Sequence, residues 1–251
     1  MIDKSTKTLL TRLAVKYETA AFLENDPSRF MHQVEGDANK EAMAFVAAGL
    51  SFGGRSQFMP KIAWLLECAD GNVEGWIRNG TFARTLPCKC EQCFYRFFTQ
   101  GAMHRFLLSY RKLLDEHGTL GEYVAREAGG DGFAAVKAIC RWFSSHGSGG
   151  VVPQDTSSAC KRLCMFLRWM VRDGSPVDIG IWANRINRRS LVMPMDTHVV
   201  HQSVRLGLLK GTTASMAAAR RLTATLAEIF PDDPLRGDFA LFGLGVSGGN
   251  A

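Results

Sequence analysis

The stretch that decides the fold runs from Ser158 to Gly207 and reads SACKRLCMFLRWMVRDGSPVDIGIWANRINRRSLVMPMDTHVVHQSVRLG. It predicts one helix that begins at Lys161 and carries apolar residues at helical spacing. It predicts a second helix that begins with Asp196, after a proline. Between Lys161 and Arg189, seven Lys or Arg residues stand against two acids. An amine, a carboxylate and a surplus of positive charge thus lie close together in the chain, which indicates a site that handles an anionic partner.

The rest of the chain indicates an all-α protein. Helical periodicity recurs along it, whereas alternating β-branched runs bounded by turn residues do not. A first helix is expected over Lys4 to Glu24, stopped by Asn25-Asp26-Pro27. Residues 144–153, SSHGSGGVVP, form the clearest break and predict a short connection between lobes. We therefore predict a two-lobed helical bundle, a single domain over residues 1–251.

The composition limits the class of protein and partner. With 46% hydrophobic and 22% charged residues, the chain is typical of a globular protein. A formal net charge of +6 favours an anionic partner, with nucleic acid ahead of membrane lipid. No apolar run reaches the roughly 20 residues that span a bilayer, and the start is not typical of a secretory signal. Seven scattered cysteines predict reduced thiols in a cytoplasmic protein, which we expect to be a monomer.

Two residues of the central stretch are candidates for catalysis. The amine of Lys161 is of the type that attacks a sugar C1′ and forms a Schiff base. The alternative is a surface lysine in the first turn of a basic helix. Asp196 would stabilise positive charge that develops on the sugar, or help to deprotonate the nucleophile. Its alternative is a helix N-cap, which contributes about 1 kcal/mol. The two roles of Asp196 are compatible, because a carboxylate has two oxygens.

Basic side chains near these candidates predict contacts with DNA phosphates. Part of this set would instead pair with Asp173 or Asp178, and the corner that holds Arg55 would simply let two helices turn. The predicted DNA-binding residues are Arg55, Arg162, Arg168, Arg172, Arg188, Arg189 and His198.

Three thiols lie within six positions, at Cys88, Cys90 and Cys93. A zinc site needs four ligands, so Cys68 or His104 would have to complete it. Because the chain has no second pair of cysteines at suitable spacing, we predict no metal site. A cysteine loop knitted by a metal remains the alternative.

Three motifs carry a resemblance to a known family: KRLxMFLRWMVR from Lys161, MPMDTHV from Met193 and DPLxxDFALFGLG from Asp233. They resemble an uncharacterised bacterial family that is distantly similar to helix-hairpin-helix DNA glycosylases. By that match Lys161 resembles the Schiff-base lysine of the glycosylases, and residues 194–198 resemble the segment that supplies their catalytic aspartate. The resemblance implies a degenerate helix-hairpin-helix and catalytic segment over residues 152–207.

The sequence departs from the glycosylase pattern at two points. The usual Gly-hydrophobic-Gly hairpin is missing, since Asp155-Thr156-Ser157-Ser158-Ala159 occupies its place. Phosphate binding through hairpin amides is therefore not implied. The separation of Lys161 and Asp196 is also wider than in the commonest glycosylases. It is similar to the archaeal 8-oxoguanine glycosylase branch, where an insertion separates the two residues.

The resemblance implies a base-excision DNA repair enzyme, a hydrolase that is both DNA glycosylase and AP lyase and acts on an oxidised purine such as 8-oxoguanine. The damaged nucleotide of double-stranded DNA would flip into a cleft between two lobes, and no cofactor would be needed. The aromatic side chains expected to stack on the base, or else to lie in the core, are Trp169, Phe239 and Phe242. The main alternative is a non-catalytic nucleic-acid-binding protein on the same scaffold. A third is a protein-interaction scaffold in which a bound metal ion holds the loop of Cys88, Cys90 and Cys93 together.

Overall fold

The computed structural model describes residues 2–246, and most of them are helical. The α-helices in this part of the chain are α1 (Lys4–Tyr17), α2 (Asp37–Leu50), α3 (Arg55–Cys68), α4 (Val73–Arg78), α5 (Phe82–Thr85), α6 (Gln100–His117), α7 (Leu120–Ala128), α8 (Gly132–His146), α9 (Lys161–Val171), α10 (Thr197–Arg205), α11 (Met216–Ala227) and α12 (Arg236–Val246). Short 3₁₀ helices cover Ala20–Asn25, Pro27–His32 and Arg188–Ser190.

Two short strands are the exception to the helical architecture. Strands β1 (Cys93–Tyr95) and β2 (Phe98–Thr99) pair antiparallel. Arg96, in the turn between them, has a left-handed backbone with φ 51°. The prediction of a predominantly helical protein is confirmed. The hairpin was missed because strands of two and three residues are too short to show an alternating pattern.

The first helix is shorter than the sequence predicts. α1 ends at Tyr17 rather than Glu24, and a separate 3₁₀ helix follows at Ala20–Asn25. The backbone of Glu18 leaves the helical region, with φ −80° and ψ 71°. Its carboxylate accepts hydrogen bonds from Arg172 and Arg236. The helix therefore ends where Glu18 turns toward partners that lie far along the chain.

The described residues form two compact units. Unit 1 comprises the residues up to Glu24, Gly130–Phe133 and the residues from Thr156 onward. Unit 2 comprises Asn25–Gly129 and Ala134–Asp155. Both candidate catalytic residues belong to unit 1.

Unit 2 has an aromatic core. The Phe45 ring of α2 lies 5.5 Å from Phe106 and 5.0 Å from Tyr110, both on α6. It also lies 5.2 Å from the ring of Phe143 on α8. All four side chains are buried. Edge-on and tilted aromatic contacts at this separation join the three helices.

In unit 1, α12 supports two other helices, because it packs against both α1 and α10. Glycines of α12 face the two contacts. A Cβ at Gly243 would lie only 2.1 Å from the ring of Tyr17 on α1. A Cβ at Gly245 would lie 2.6 Å from Cβ of His198 on α10. These glycines permit the close approach of both helices, so α12 fixes the position of the helix that Asp196 opens.

Candidate active site

Lys161 is the first residue of α9, as the sequence predicts, and it is half-buried. The preceding residue, Cys160, is buried and has a left-handed backbone with φ 47° and ψ 39°. A residue other than glycine in this region costs on the order of 1–3 kcal/mol unless its surroundings enforce it. Residues 163–171 of α9 are all buried. The strained turn therefore places the lysine at the accessible end of a core helix.

Asp196 is the N-cap of α10, which confirms the predicted helix start. Its backbone is extended, with φ −91° and ψ 175°, and Oδ1 accepts a 2.7 Å hydrogen bond from the Val199 N–H. The side chain is half-buried. Within residues 2–246, no hydrogen bond reaches Oδ2. The carboxylate thus caps the helix with one oxygen and keeps the other for a further contact.

Unit 1 contains a set of charged side chains that we call the buried charge cluster. Its members meet in the core of unit 1 or at the edge of that core: Glu18, Arg168, Arg172, Asp178, Asp233, Arg236 and Asp238. Arg168 is 3% exposed, and its Nε donates to Asp178 Oδ1 at 3.2 Å. Its Nη1 donates to Asp238 on α12. Arg168 therefore ties α9 to α12.

Arg172, the C-cap of α9 and one turn after Arg168, is 2% exposed. It donates two Nε contacts to Asp233, at 2.9 and 3.0 Å, and Nη2 reaches the same carboxylate at 2.8 Å. Further bonds go to Asp178 and Glu18. The prediction that Arg168 and Arg172 contact phosphates is therefore corrected, because both guanidinium groups are buried and already paired.

The buried charge cluster holds four carboxylates against three guanidinium groups. This imbalance favours uptake of a proton, and the pKa of Asp238 is accordingly raised to about 6. Burial is the largest cause; the charge of Arg168 opposes it and that of Asp196 adds to it. Burial also acts to raise the pKa of Glu18, but Arg172 outweighs it and lowers that pKa. Burial likewise raises the pKa of Asp178, against the charges of Arg168 and Arg172. The raised pKa of Asp238 brings its titration into an accessible pH range.

The helices that carry the two candidate catalytic residues are linked through α12. Lys161 and Arg168 are seven positions apart on one face of α9, which corresponds to about 10 Å along the helix axis. Arg168 bonds to Asp238 on α12, and α12 packs against α10, which Asp196 caps. Lys161 and Asp196 therefore belong to one unit, on two helices that both contact α12.

The other predicted DNA-binding residues occupy varied surroundings. Arg162 is half-buried, and burial lowers its pKa to about 10, so it stays charged at neutral pH. Arg188 pairs with Asp173 at 2.9 Å, and Arg189 pairs with Asp232; all four side chains are largely exposed. Surface pairs of this kind contribute roughly 0–1 kcal/mol, so phosphates can replace their acids.

Two of the predicted residues lie on helix ends. His198 is exposed in the first turn of α10, and its ring lies 5.7 Å from the Phe242 ring. Arg55 is exposed at the first position of α3 and belongs to unit 2. It is therefore not part of the unit that holds Lys161 and Asp196.

The predicted base pocket is corrected for two of its three aromatic residues. Trp169 and Phe239 are both 0% exposed and belong to the core. The Phe239 ring lies beneath Arg168, whose guanidinium carbon is 4.5 Å from the ring centroid. Phe242 is half-buried and contacts the rings of Phe22 and His198 edge-on. Of the three, Phe242 keeps an accessible edge.

The seven cysteines are all free thiols. Cys88 and Cys93 are exposed, whereas Cys90 is half-buried, and its carbonyl accepts a 2.8 Å hydrogen bond from the Gly101 N–H. Across residues 2–246, no three His, Cys, Asp or Glu side chains are arranged to hold a metal ion.

The sequence did not predict the acids that come from distant positions to neutralise Arg168 and Arg172. Glu18, Asp233 and Asp238 come from positions before and long after that helix. Asp238 gave a usable signal, since it is the one acid of α12 and stands in the first turn directly before the apolar run FALFGLG. A carboxylate in a helix that is buried on most sides needs a cationic partner.

None of the helices in the described part of the chain has the length and hydropathy that a bilayer crossing requires. A search of curated proteins and a search of solved structures each give no match. A protein-family model matches residues 26–247, and its description is "Protein of unknown function (DUF2400)". Because the match covers most of the 251 residues, the chain belongs to the DUF2400 family.

Proposed function

We propose that this protein is a DNA glycosylase with AP lyase activity, on a scaffold of the helix-hairpin-helix glycosylase type. One observation carries the proposal. A half-buried lysine at the start of α9 and a half-buried carboxylate at the start of α10 belong to one unit, and α12 links their helices through the Arg168–Asp238 ion pair and its packing against α10. An amine nucleophile and an anion that stabilises a cationic transition state are the two groups that this reaction needs. The substrate is double-stranded DNA that carries an oxidised purine such as 8-oxoguanine.

The reaction begins with a nucleotide flipped out of the duplex, because C1′ is inaccessible inside the base stack. The lone pair of Lys161 Nζ forms a bond to C1′, while the bond from C1′ to the base breaks and the base leaves with its electron pair. Asp196 stabilises the positive charge that develops on the sugar. Loss of a proton from Nζ and opening of the sugar ring then give a Schiff base between Nζ and C1′.

The turn before Lys161 supports this assignment. Strained backbone conformations cluster at active sites, and Cys160 is one of three described residues other than glycine with a positive φ. In place of the missing glycine hairpin, phosphate contacts come from side chains of the same unit, namely Arg162, Arg188, Arg189 and His198. Arg55 of unit 2 would add a contact of its own.

The alternative is a nucleic-acid-binding protein without catalysis. A specific observation favours it, since Asp196 already caps α10 and the cap alone explains an aspartate there. Arg168 and Arg172 likewise serve the core rather than a ligand. This alternative predicts salt-sensitive binding with no covalent intermediate.

Borohydride trapping on a panel of duplexes tests the proposal. Each duplex carries one lesion, and an undamaged duplex serves as reference. Lys161→Gln removes the nucleophile, and Lys210→Gln is the matched control, because Lys210 is an exposed lysine of the same unit. Asp196→Asn separates chemistry from helix capping, since asparagine caps a helix about as well as aspartate.

We expect a covalent adduct on an oxidised-purine duplex that is lost in Lys161→Gln and kept in Lys210→Gln. Asp196→Asn should melt like the wild type but form the adduct slower by a factor on the order of 10² or more. If no duplex gives an adduct or releases a base while salt-sensitive binding persists, the non-catalytic alternative replaces the enzyme.

A further inference from the structure

The outer side of α1 carries an unusual set of cations, which we call the open basic face: Lys4, Lys7, Arg12 and Lys16. Lys4, Arg12 and Lys16 are exposed, and Lys7 is half-exposed. The helix contains no acidic residue. None of the four cations forms an ion pair with an acid among residues 2–246.

On a helix surface, opposite charges four residues apart can form ion pairs, and α6 has two such pairs. There Arg111 faces Asp115 at 3.9 Å and Lys112 faces Glu116 at 3.8 Å, each one turn apart. On α1 the nearest acid in sequence, Asp3, accepts hydrogen bonds from the Thr6 N–H and hydroxyl and from the Ser5 hydroxyl. The charge of the open basic face is therefore left for a partner from outside.

We infer that the open basic face binds the phosphodiester backbone of nucleic acid. Lys4 and Lys16 are twelve residues apart, which is about 18 Å along the helix axis. One strand of a duplex carries about five phosphates over that length, at about 3.4 Å each. The three exposed cations, Lys4, Arg12 and Lys16, lie within about 120° around the helix and can each meet a phosphate of that strand segment.

The contact recognises charge rather than sequence. The hydroxyl groups between the cations already donate to helix carbonyls, Thr8 to Lys4 O at 3.0 Å and Thr11 to Lys7 O at 2.9 Å. They offer no free donor that would read a base edge. Phosphate contacts of this kind position a duplex and make its binding depend on salt.

A nucleic acid fits this face better than an anionic lipid surface. A helix that lies in a membrane interface inserts its apolar side among the lipids. The apolar side of α1, with Leu10, Leu13 and Ala14, is buried, and α1 packs against α12. On the outer side Val15 is the one large apolar residue of α1 that is well exposed. α1 therefore presents charge to a membrane surface but has little exposed apolar surface that could insert into it.

The open basic face belongs to the same unit as the candidate active site. Glu18, the C-cap of α1, accepts a 2.5 Å hydrogen bond from Arg172 of α9. A duplex held on α1 is thus held by the unit that presents Lys161. The inference rests on the nucleic-acid partner of the proposed function but not on its chemistry. α1 precedes residues 26–247, the segment that the family model matches.

Fluorescence anisotropy with a labelled, undamaged duplex tests the inference. The binding constant is measured between about 50 and 200 mM salt for the full-length protein and for Lys4→Gln/Arg12→Gln/Lys16→Gln. The matched control is Arg84→Gln/Arg105→Gln/Lys112→Gln, which removes the same charge from exposed positions of α5 and α6. Lys210→Gln is measured alongside, because Lys210 is an exposed lysine of the same unit that lies outside α1.

We expect the α1 variant to bind about tenfold more weakly and the slope of log K against log salt to flatten by about 2–3, while the control changes far less. Equal losses in both variants would overturn the inference. Loss of binding to phosphatidylserine vesicles with unchanged DNA binding would assign the face to a membrane instead. A failure of borohydride trapping with this salt dependence intact would refute the lyase but not the DNA-binding face.

Discussion

Two basic helices of unit 1 use their charge in opposite ways. Arg168 of α9 and Arg172, the C-cap of that helix, are 3% and 2% exposed and bonded to carboxylates. The cations of α1 have no acidic partner among residues 2–246. In the sequence both stretches are basic. Acids far along the chain, rather than the number of cations, decide whether a basic helix faces a ligand or the core.

The largest expected effect comes from removing a cation of the buried charge cluster. Arg168→Ala leaves Asp238 buried without its cation, so we expect a loss of about 3–5 kcal/mol in the free energy of unfolding. Urea denaturation measures it. The control, Arg188→Ala, breaks an exposed pair and should cost less than about 1 kcal/mol. Equal effects of the two changes would mean that Arg168 is not buried in an ion pair in solution.

The pH dependence of stability tests the buried charge cluster in a second way. Asp238 has a folded-state pKa of about 6, above the 3.8 of an unperturbed aspartate. At this residue the folded state therefore binds more protons between these values, so the contribution of Asp238 to stability falls as pH rises through that window. The change is on the order of 2–3 kcal/mol.

Asp238→Asn should lack this decrease. Melting curves of the wild type and the variant from about pH 4 to 7 isolate the contribution of Asp238, because other groups cancel in the difference. A difference in stability that stays constant across this range would show that Asp238 does not titrate there.

The contact between α1 and α12 holds the open basic face in place. Gly243→Ala would add a methyl group 2.1 Å from the Tyr17 ring, and we expect a loss of about 2 kcal/mol from overpacking. The control is Gly211→Ala, since no heavy atom lies within 4 Å of its added Cβ. Hydrogen exchange of the α1 amides should rise in the first variant alone. Unchanged exchange in both would contradict the close contact.

The smallest expected effect comes from changes in the open basic face. Lys4→Gln/Arg12→Gln/Lys16→Gln removes exposed cations that have no ion pair, and glutamine has a similar helix propensity. We expect the free energy of unfolding to change by less than about 0.5 kcal/mol. Thermal melting checks this, and a large loss would mean that these side chains support the fold.

Local features of this chain could be predicted from its sequence. The starts of α9 at Lys161 and of α10 after Asp196 follow from apolar spacing and capping, which depend on neighbouring residues. The pairing of Arg168 and Arg172 with nearby Asp178 was one of the stated alternatives. Their other acids could not be predicted, since these lie up to 154 positions away. The early end of α1 was missed for the same reason, because Glu18 leaves the helix to meet Arg172.

In the candidate site, too, some features follow from neighbouring residues and others depend on long-range packing. Lys161 and Asp196 stand at local helix starts, and the sequence placed both at them. The burial of Trp169 and Phe239, which removes them from a base pocket, depends on how α9 and α12 pack. Periodicity identifies an apolar face but does not say whether a ligand or another helix covers it.

The glycine contact between α1 and α12 has a consequence for biosynthesis. Roughly 220 residues separate the end of α1 from the start of α12, so at about 5–20 residues per second the ribosome needs on the order of 10–40 s to supply the partner. During that interval Leu10 and Leu13 have no α12 to cover them. α1 therefore stays without this partner until the intervening chain has been translated, and its apolar side remains open to transient contacts in the meantime.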